Sequence, residues 1–68
     1  MENICPLRRI RFLLQLTQEK LAVKSGVSQT KISQYERGIT RPSEKNRGRL
    51  AEALDTPVDL VFPEADEG

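Results

Sequence analysis

The chain has no histidine, no tryptophan and a single cysteine. Without histidine there is no Ser–His or Cys–His nucleophile pair and no imidazole metal ligand. Cys5 has no partner in the chain for an intramolecular disulfide, so the fold must hold by packing. Apolar runs are short, none exceeding the three residues of Phe12-Leu13-Leu14, which is far too little to span a bilayer. The start lacks a basic segment followed by a long apolar stretch, so no signal peptide is read there. Sixty-eight residues allow one small domain and exclude an α/β barrel, a dinucleotide fold or a multi-domain enzyme. An apolar share of 37% beside 31% charged residues suits a helical globular domain. A reducing, cytoplasmic setting is the expectation, with no cofactor, no metal, no membrane and no enzymatic activity.

Net charge is also scarce, at +1. That near-zero value is a cancellation. Residues 1–50 carry all eleven bases against four acids, a net of +7, whereas residues 51–68 carry six acids and no base, a net of −6. Such asymmetry fits a basic body with an acidic end. A solvated charged surface with a solubilising terminus is the plainer alternative.

Five short helical patterns follow one another, with no strand pattern between them. The first spans Pro6 to Leu14, opened by a proline suited to the first helical turn. Leu7, Ile10, Arg11 and Leu14 fall on one arc. Arg11 therefore shares an apolar face and needs a carboxylate partner. Thr17 caps a second helix, Gln18 to Ser25, which Gly26 ends. Ser28 caps a third, Gln29 to Arg37, ended by Gly38. Ser43 caps a fourth, Glu44 to Leu54. Thr56-Pro57-Val58-Asp59 reads as a cap, a first-turn proline and a capping-box acid for a fifth helix reaching Phe62. Pro63 stops it, and Glu64 to Gly68 is expected to be a frayed acidic tail outside a single domain of residues 1–63. The pattern predicts an all-α, compact five-helix bundle.

The third helix carries the chemistry. Ile32 and Tyr35 point one way. Gln29, Thr30, Ser33, Gln34 and Arg37 share the opposite arc, about 140° wide at about 100° per residue. This face has amides, hydroxyls and a guanidinium but no acid and no aliphatic residue. Glutamine can pair in two-point fashion with adenine, the threonine methyl can meet the thymine methyl, and arginine suits guanine or phosphate. An ordinary solvated face usually mixes Glu with Lys.

The preceding turn sharpens the reading. Two helices crossing steeply through a short turn need a small contact residue (Ala22), a left-handed glycine (Gly26), an apolar plug (Val27) and an inward apolar residue (Ile32). Gln18-Glu19-Lys20-Leu21-Ala22, Gly26-Val27-Ser28, Ile32-Ser33, Glu36-Arg37-Gly38 and Pro42 together resemble the helix-turn-helix of the phage repressor and Cro (XRE-like) family of small bacterial regulators. The resemblance runs from about Leu7 to Phe62. It implies a lambda-repressor-like fold, with the helix-turn-helix formed by the second and third helices. It also implies a sequence-specific transcriptional regulator, a repressor, that sets the third helix into the major groove of double-stranded DNA. Gln29, Thr30, Ser33 and Gln34 match or adjoin base-reading positions. Gln18 matches a position that binds phosphate and braces the recognition helix, with Lys31, Arg37 and Arg41 as further phosphate contacts. The loop from Arg37 to Arg41 matches a backbone segment offering N–H groups to phosphates. Glu36 matches the acid that pairs with the first-helix arginine, here Arg11, as a structural ion pair.

A homodimer on a palindrome is expected, with recognition helices roughly 34 Å apart. No small-molecule ligand is expected. An acidic end near the dimer contact, facing away from DNA, would weaken non-specific binding. A protein-interaction module or antitoxin built on the same fold is the alternative, motivated by Phe12-Leu13 and the acidic tail.

Four departures from the family pattern stand out. Gln15 and Asp55 occupy positions where a helix-ending glycine is common, which predicts strained or reshaped ends. Ser25 replaces a commonly apolar residue. Arg47 stands where leucine is usual, its head turning either to solvent or to DNA, and Gly48 follows inside the helix.

Overall fold

The computed structural model describes residues 5–63. Five helices follow in order: α1 (Pro6–Leu13), α2 (Gln18–Ser25), α3 (Gln29–Glu36), α4 (Glu44–Ala53) and α5 (Val58–Val61). No strand occurs among the described residues. The segment Glu64 to Gly68, read above as a tail, lies outside them.

Three helices begin on hydroxyl caps. Thr17 Oγ1 accepts the Lys20 N–H at 3.0 Å, while Ser28 Oγ accepts that of Lys31 and Ser43 Oγ that of Asn46, both at 3.2 Å. Each satisfies a donor that a helix start leaves without an intrahelical partner.

Helix ends follow two schemes. Gly26 turns left-handed at φ 79° and its N–H returns to the Ala22 carbonyl at 2.9 Å. The ends of α1, α3 and α4 share a different turn, in which two successive N–H groups fold back onto the last helical carbonyls. At α3 these are Gly38 to Tyr35 and Ile39 to Gln34; at α1, Gln15 to Phe12 and Leu16 to Arg11; at α4, Asp55 to Glu52 and Thr56 to Ala51. The turn needs one left-handed residue. Gly38 supplies it at φ 76°, but Gln15 at 59° and Asp55 at 54° adopt it without glycine's freedom. The anticipated strain is therefore present at both departures. In each of the three helices the last expected residue (Leu14, Arg37, Leu54) is the half-helical residue just past the end.

Two sequence expectations are corrected. Leu14 is 48% exposed, not on the inner face. The chain turns at Gln15, and Leu16 packs against the core instead. Thr56 does not cap α5. Its N–H closes the end of α4, and its hydroxyl donates to the Leu54 carbonyl at 2.8 Å. The hydroxyl is aimed back at α4, and α5 starts after Pro57 with no side-chain cap among the described residues.

One core serves the described residues. Leu7 from α1, Leu21 from α2, Ile32 from α3, Leu50 and the adjacent Leu54 from α4, and Val61 from α5 are its most buried side chains. Val27, Tyr35, Ala51 and Phe62 complete it. α2 packs on both α3 and α4, and α5 closes the other end against α1 and α4. Ser25 is accommodated by local bonding, its Oγ accepting the Val27 N–H at 3.2 Å. That bond holds the residue that plugs the turn between α2 and α3. Arg47 is half-buried and lines a groove with Glu44, Gly48, Val58, Asp59 and Phe62.

Candidate nucleic-acid interface

The α2–α3 unit is held at its base by one carboxylate. Arg11 donates from Nε to Glu36 Oε2 at 2.7 Å and from NH2 to Glu36 Oε1 at 3.0 Å, while its NH1 bonds the Leu16 carbonyl at 2.9 Å. The side chains are only 8% and 4% exposed. Burial of a guanidinium is tolerable because each of its three nitrogens has an acceptor, two of them on one carboxyl group. Phe12 lies against the Arg11 guanidinium, with 5.2 Å between its ring centre and the guanidinium carbon, and takes Arg8 at 5.3 Å. Gln18 Nε2 donates to Glu36 Oε1 at 3.1 Å. The end of α3, the end of α1 and the start of α2 therefore meet on Glu36.

A second tie fixes α3 from the other side. Asn46 of α4 donates from Nδ2 to the Tyr35 hydroxyl at 3.0 Å. Neither this pair nor the role of the Leu16 carbonyl was read from the sequence. A buried tyrosine calling for a hydroxyl partner was the available signal.

The outer face of α3 forms one side of a shallow concavity. Gln18, Gln29, Thr30, Ser33, Gln34 and Arg37 line it, joined by Ile39. Five of these six polar residues lie on, or immediately after, α3, and the sixth opens α2. Gln29 and Thr30 are exposed; Ser33, Gln34 and Gln18 are half-buried. No acid lines the surface among the described residues. The carboxylate of Glu36 is turned inward with both oxygens engaged. Lys31 and Arg41 are exposed and lie outside the concavity. Ile39 is a residue the sequence reading missed. An apolar residue directly after a helix-ending glycine, in an otherwise polar loop, was the signal.

The loop after α3 is narrower as a donor surface than its sequence implies. The N–H groups of Arg37, Gly38 and Ile39 are all taken by carbonyls of α3. Those of Thr40 and Arg41 have no partner among the described residues. Among those residues, too, no group of acids and cysteine is arranged to hold a metal ion, and no helix is long and apolar enough to cross a membrane.

Comparison with known proteins agrees with this geometry. The chain matches the helix-turn-helix family over residues 7–61. It is 41% identical over 61 residues to an uncharacterized transcriptional regulator in the ATPase CF(0) region of Rhodospirillum rubrum. That alignment covers 90% of this chain and 56% of the relative, so the chain spans little more than half the relative's length. Among solved structures, the restriction-modification controller protein C.AhdI from Aeromonas hydrophila is 37% identical with a TM-score of 0.80, covering 84% of this chain and 86% of that one. The DNA-binding domain of the P22 c2 repressor is 33% identical with a TM-score of 0.77, covering 93% and 84%. Sequence match, fold and the two-helix geometry agree: the chain belongs to the helix-turn-helix family of DNA-binding transcriptional regulators, of the phage repressor and Cro (XRE) type.

Proposed function

We propose that the chain binds double-stranded DNA sequence-specifically and represses transcription, with α3 set into the major groove. The observation that carries this reading is the acid-free concavity shared by Gln18, the outer face of α3 and Arg37. In it, Gln29, Thr30, Ser33 and Gln34 meet base edges, where amides and hydroxyls discriminate between base pairs. Gln18, Lys31, Arg37 and Arg41 hold the phosphates on either side, helped by the N–H groups of Thr40 and Arg41, which have no partner among the described residues. The Arg11–Glu36 pair touches no DNA and sets the angle of α3. Two copies act as a dimer on a palindromic site, because one α3 spans too few base pairs to choose a site in a genome. The two solved relatives support the reading: one is named as a controller protein and the other as a repressor's DNA-binding domain.

Affinity for DNA should come largely from phosphate contacts. Titration of duplex DNA at increasing salt is expected to give a line of log K against log salt, with a slope of about −0.9 per phosphate neutralised. Salt-insensitive binding would remove the phosphate contacts from the proposal.

A second reading has its own observation. Phe12 is 58% and Leu13 75% exposed on the outer side of α1, a surface suited to a protein partner as in an antitoxin. Sedimentation of the chain alone and with duplex DNA separates the two. A chain that shifts no DNA favours the partner-binding reading.

A further inference from the structure

α3 and α4 each pack on α2 and little on each other. The stretch from Arg37 to Ser43 joins them, and it is anchored at both ends. At the first, the N–H groups of Gly38 and Ile39 bond the Tyr35 and Gln34 carbonyls at 3.1 and 2.9 Å. At the second, Ser43 accepts the Asn46 N–H on its Oγ at 3.2 Å and the Arg47 N–H on its carbonyl at 2.9 Å. Between the anchors, Thr40 and Arg41 are exposed, and their N–H groups have no partner among the described residues. Pro42 has no N–H of its own and restricts Arg41 to extended backbone. Where Thr40 and Arg41 lie therefore follows from how the two anchors are held relative to each other.

Among the described residues, one hydrogen bond joins those anchors directly. Asn46 donates from Nδ2 to the Tyr35 hydroxyl at 3.0 Å. Tyr35, 8% exposed, belongs to the last turn of α3, and the half-buried Asn46 to the first turn of α4. Asn46 also carries the N–H that Ser43 caps, so a single residue is tied both to the end of the loop and to α3. We propose that Tyr35 and Asn46 are positioning residues for the phosphate contacts of Thr40 and Arg41, their bond setting the span across which the loop is held. This rests on the proposed binding of DNA. The Glu36 cluster holds α3 on its other side, against α1 and α2, and keeps the base-reading face in place when the bond is lost. Loss of the bond therefore lowers affinity and leaves base preference alone.

The test is a double-mutant cycle in the full chain. Tyr35→Phe, which removes only the hydroxyl oxygen, Asn46→Ala and the two together are titrated with duplex DNA at several salt concentrations, each below its unfolding temperature. Each single variant is expected to bind about tenfold more weakly, the effect of one lost hydrogen bond to a charged group. The double variant should bind no more weakly than the poorer single one. The Arg41 guanidinium moves with its backbone, so the slope of log K against log salt should flatten by about 0.9, one phosphate contact. Sequences enriched from a random duplex pool should stay those of the wild type. A bond that only stabilises the fold would lower the unfolding temperature and leave affinity and salt slope unchanged, which overturns the inference. Changed base preference would mean that the bond angles α3, and strictly additive losses that the two side chains act apart; either overturns it. If Tyr35→Phe does not fold, Asn46→Ala, which leaves the ring in the core, carries the affinity and salt-slope readouts alone. A wild-type chain that binds no duplex overturns the DNA-binding reading itself, and the inference with it.

Discussion

The α2–α3 unit and the α4–α5 end are built on different principles. In the first, local signals and tertiary structure agree at nearly every residue. Thr17 and Ser28 cap, Gly26 and Gly38 turn left-handed, and Val27 plugs the turn. In the second, local signals conflict with what the chain does. Gly48 sits inside α4, Asp55 takes a left-handed conformation, and Thr56 turns back to α4 instead of capping α5. Packing holds this end, with Leu50 and Val61 fully buried and Leu54 and Phe62 nearly so. The part that presents chemistry is locally determined, and the part that completes the core is held from outside. A recognition surface depends on fixed angles, whereas a core-closing helix needs only to bring its apolar side to the right place.

The sharpest way to break the contrast is to remove the shared carboxylate. Glu36→Ala leaves the Arg11 guanidinium buried without its partner, and the loss expected in urea unfolding is about 3–5 kcal/mol. A loss under about 1 kcal/mol would mean that the pair contributes no more than an exposed one. The next effect concerns recognition without stability. Gln29→Ala, on an exposed position, should lower discrimination at one or two base positions by about 1–3 kcal/mol, read by competition between matched and mismatched duplexes. Equal weakening on every duplex would make Gln29 a positioning contact.

The remaining tests address the other end and should stabilise. A Cβ at Gly48 meets no atom of the described residues within 4 Å, so nothing among them requires glycine there. Gly48→Ala is expected to raise stability by about 1 kcal/mol. If it destabilises instead, something outside the described residues packs against that surface. Smallest is the relief of the left-handed residues. Gln15→Gly should gain about 0.5 kcal/mol, the strain removed less the added freedom of the unfolded chain. Asp55→Gly should gain less, because aspartate tolerates this conformation better. Thermal unfolding of the two variants checks the order.

What was legible in the sequence follows the same division. The bounds of α2 follow from Thr17 and Gly26 alone. Arg11 could be placed inward because a charged residue on an apolar arc has few alternatives, although the identity of its acid came from family resemblance. Leu14 was misread because helical periodicity continues on paper past Gln15, whereas the backbone leaves the helix there. Thr56 was misread because two helix ends compete for one residue, and only packing decides between them. Ile39 was missed because its direction is set by the left-handed turn at Gly38 and not by helical periodicity, although its place after a helix-ending glycine was a signal. The polar residues of α3 were legible as a group. Their union with Gln18 came only from the family resemblance, since it depends on how α2 crosses α3.

Glu36 also determines which chemistry Gln18 displays. Its Oε1 already receives Arg11, so it requires a donor from Gln18 and repels that residue's own carbonyl oxygen. The amide cannot turn end for end. It shows its carbonyl and one remaining N–H outward in a fixed order. An outward-facing residue thus has its polarity written by a buried one. A glutamine at position 36 would leave the outer surface unchanged in sequence and still allow Gln18 to reverse.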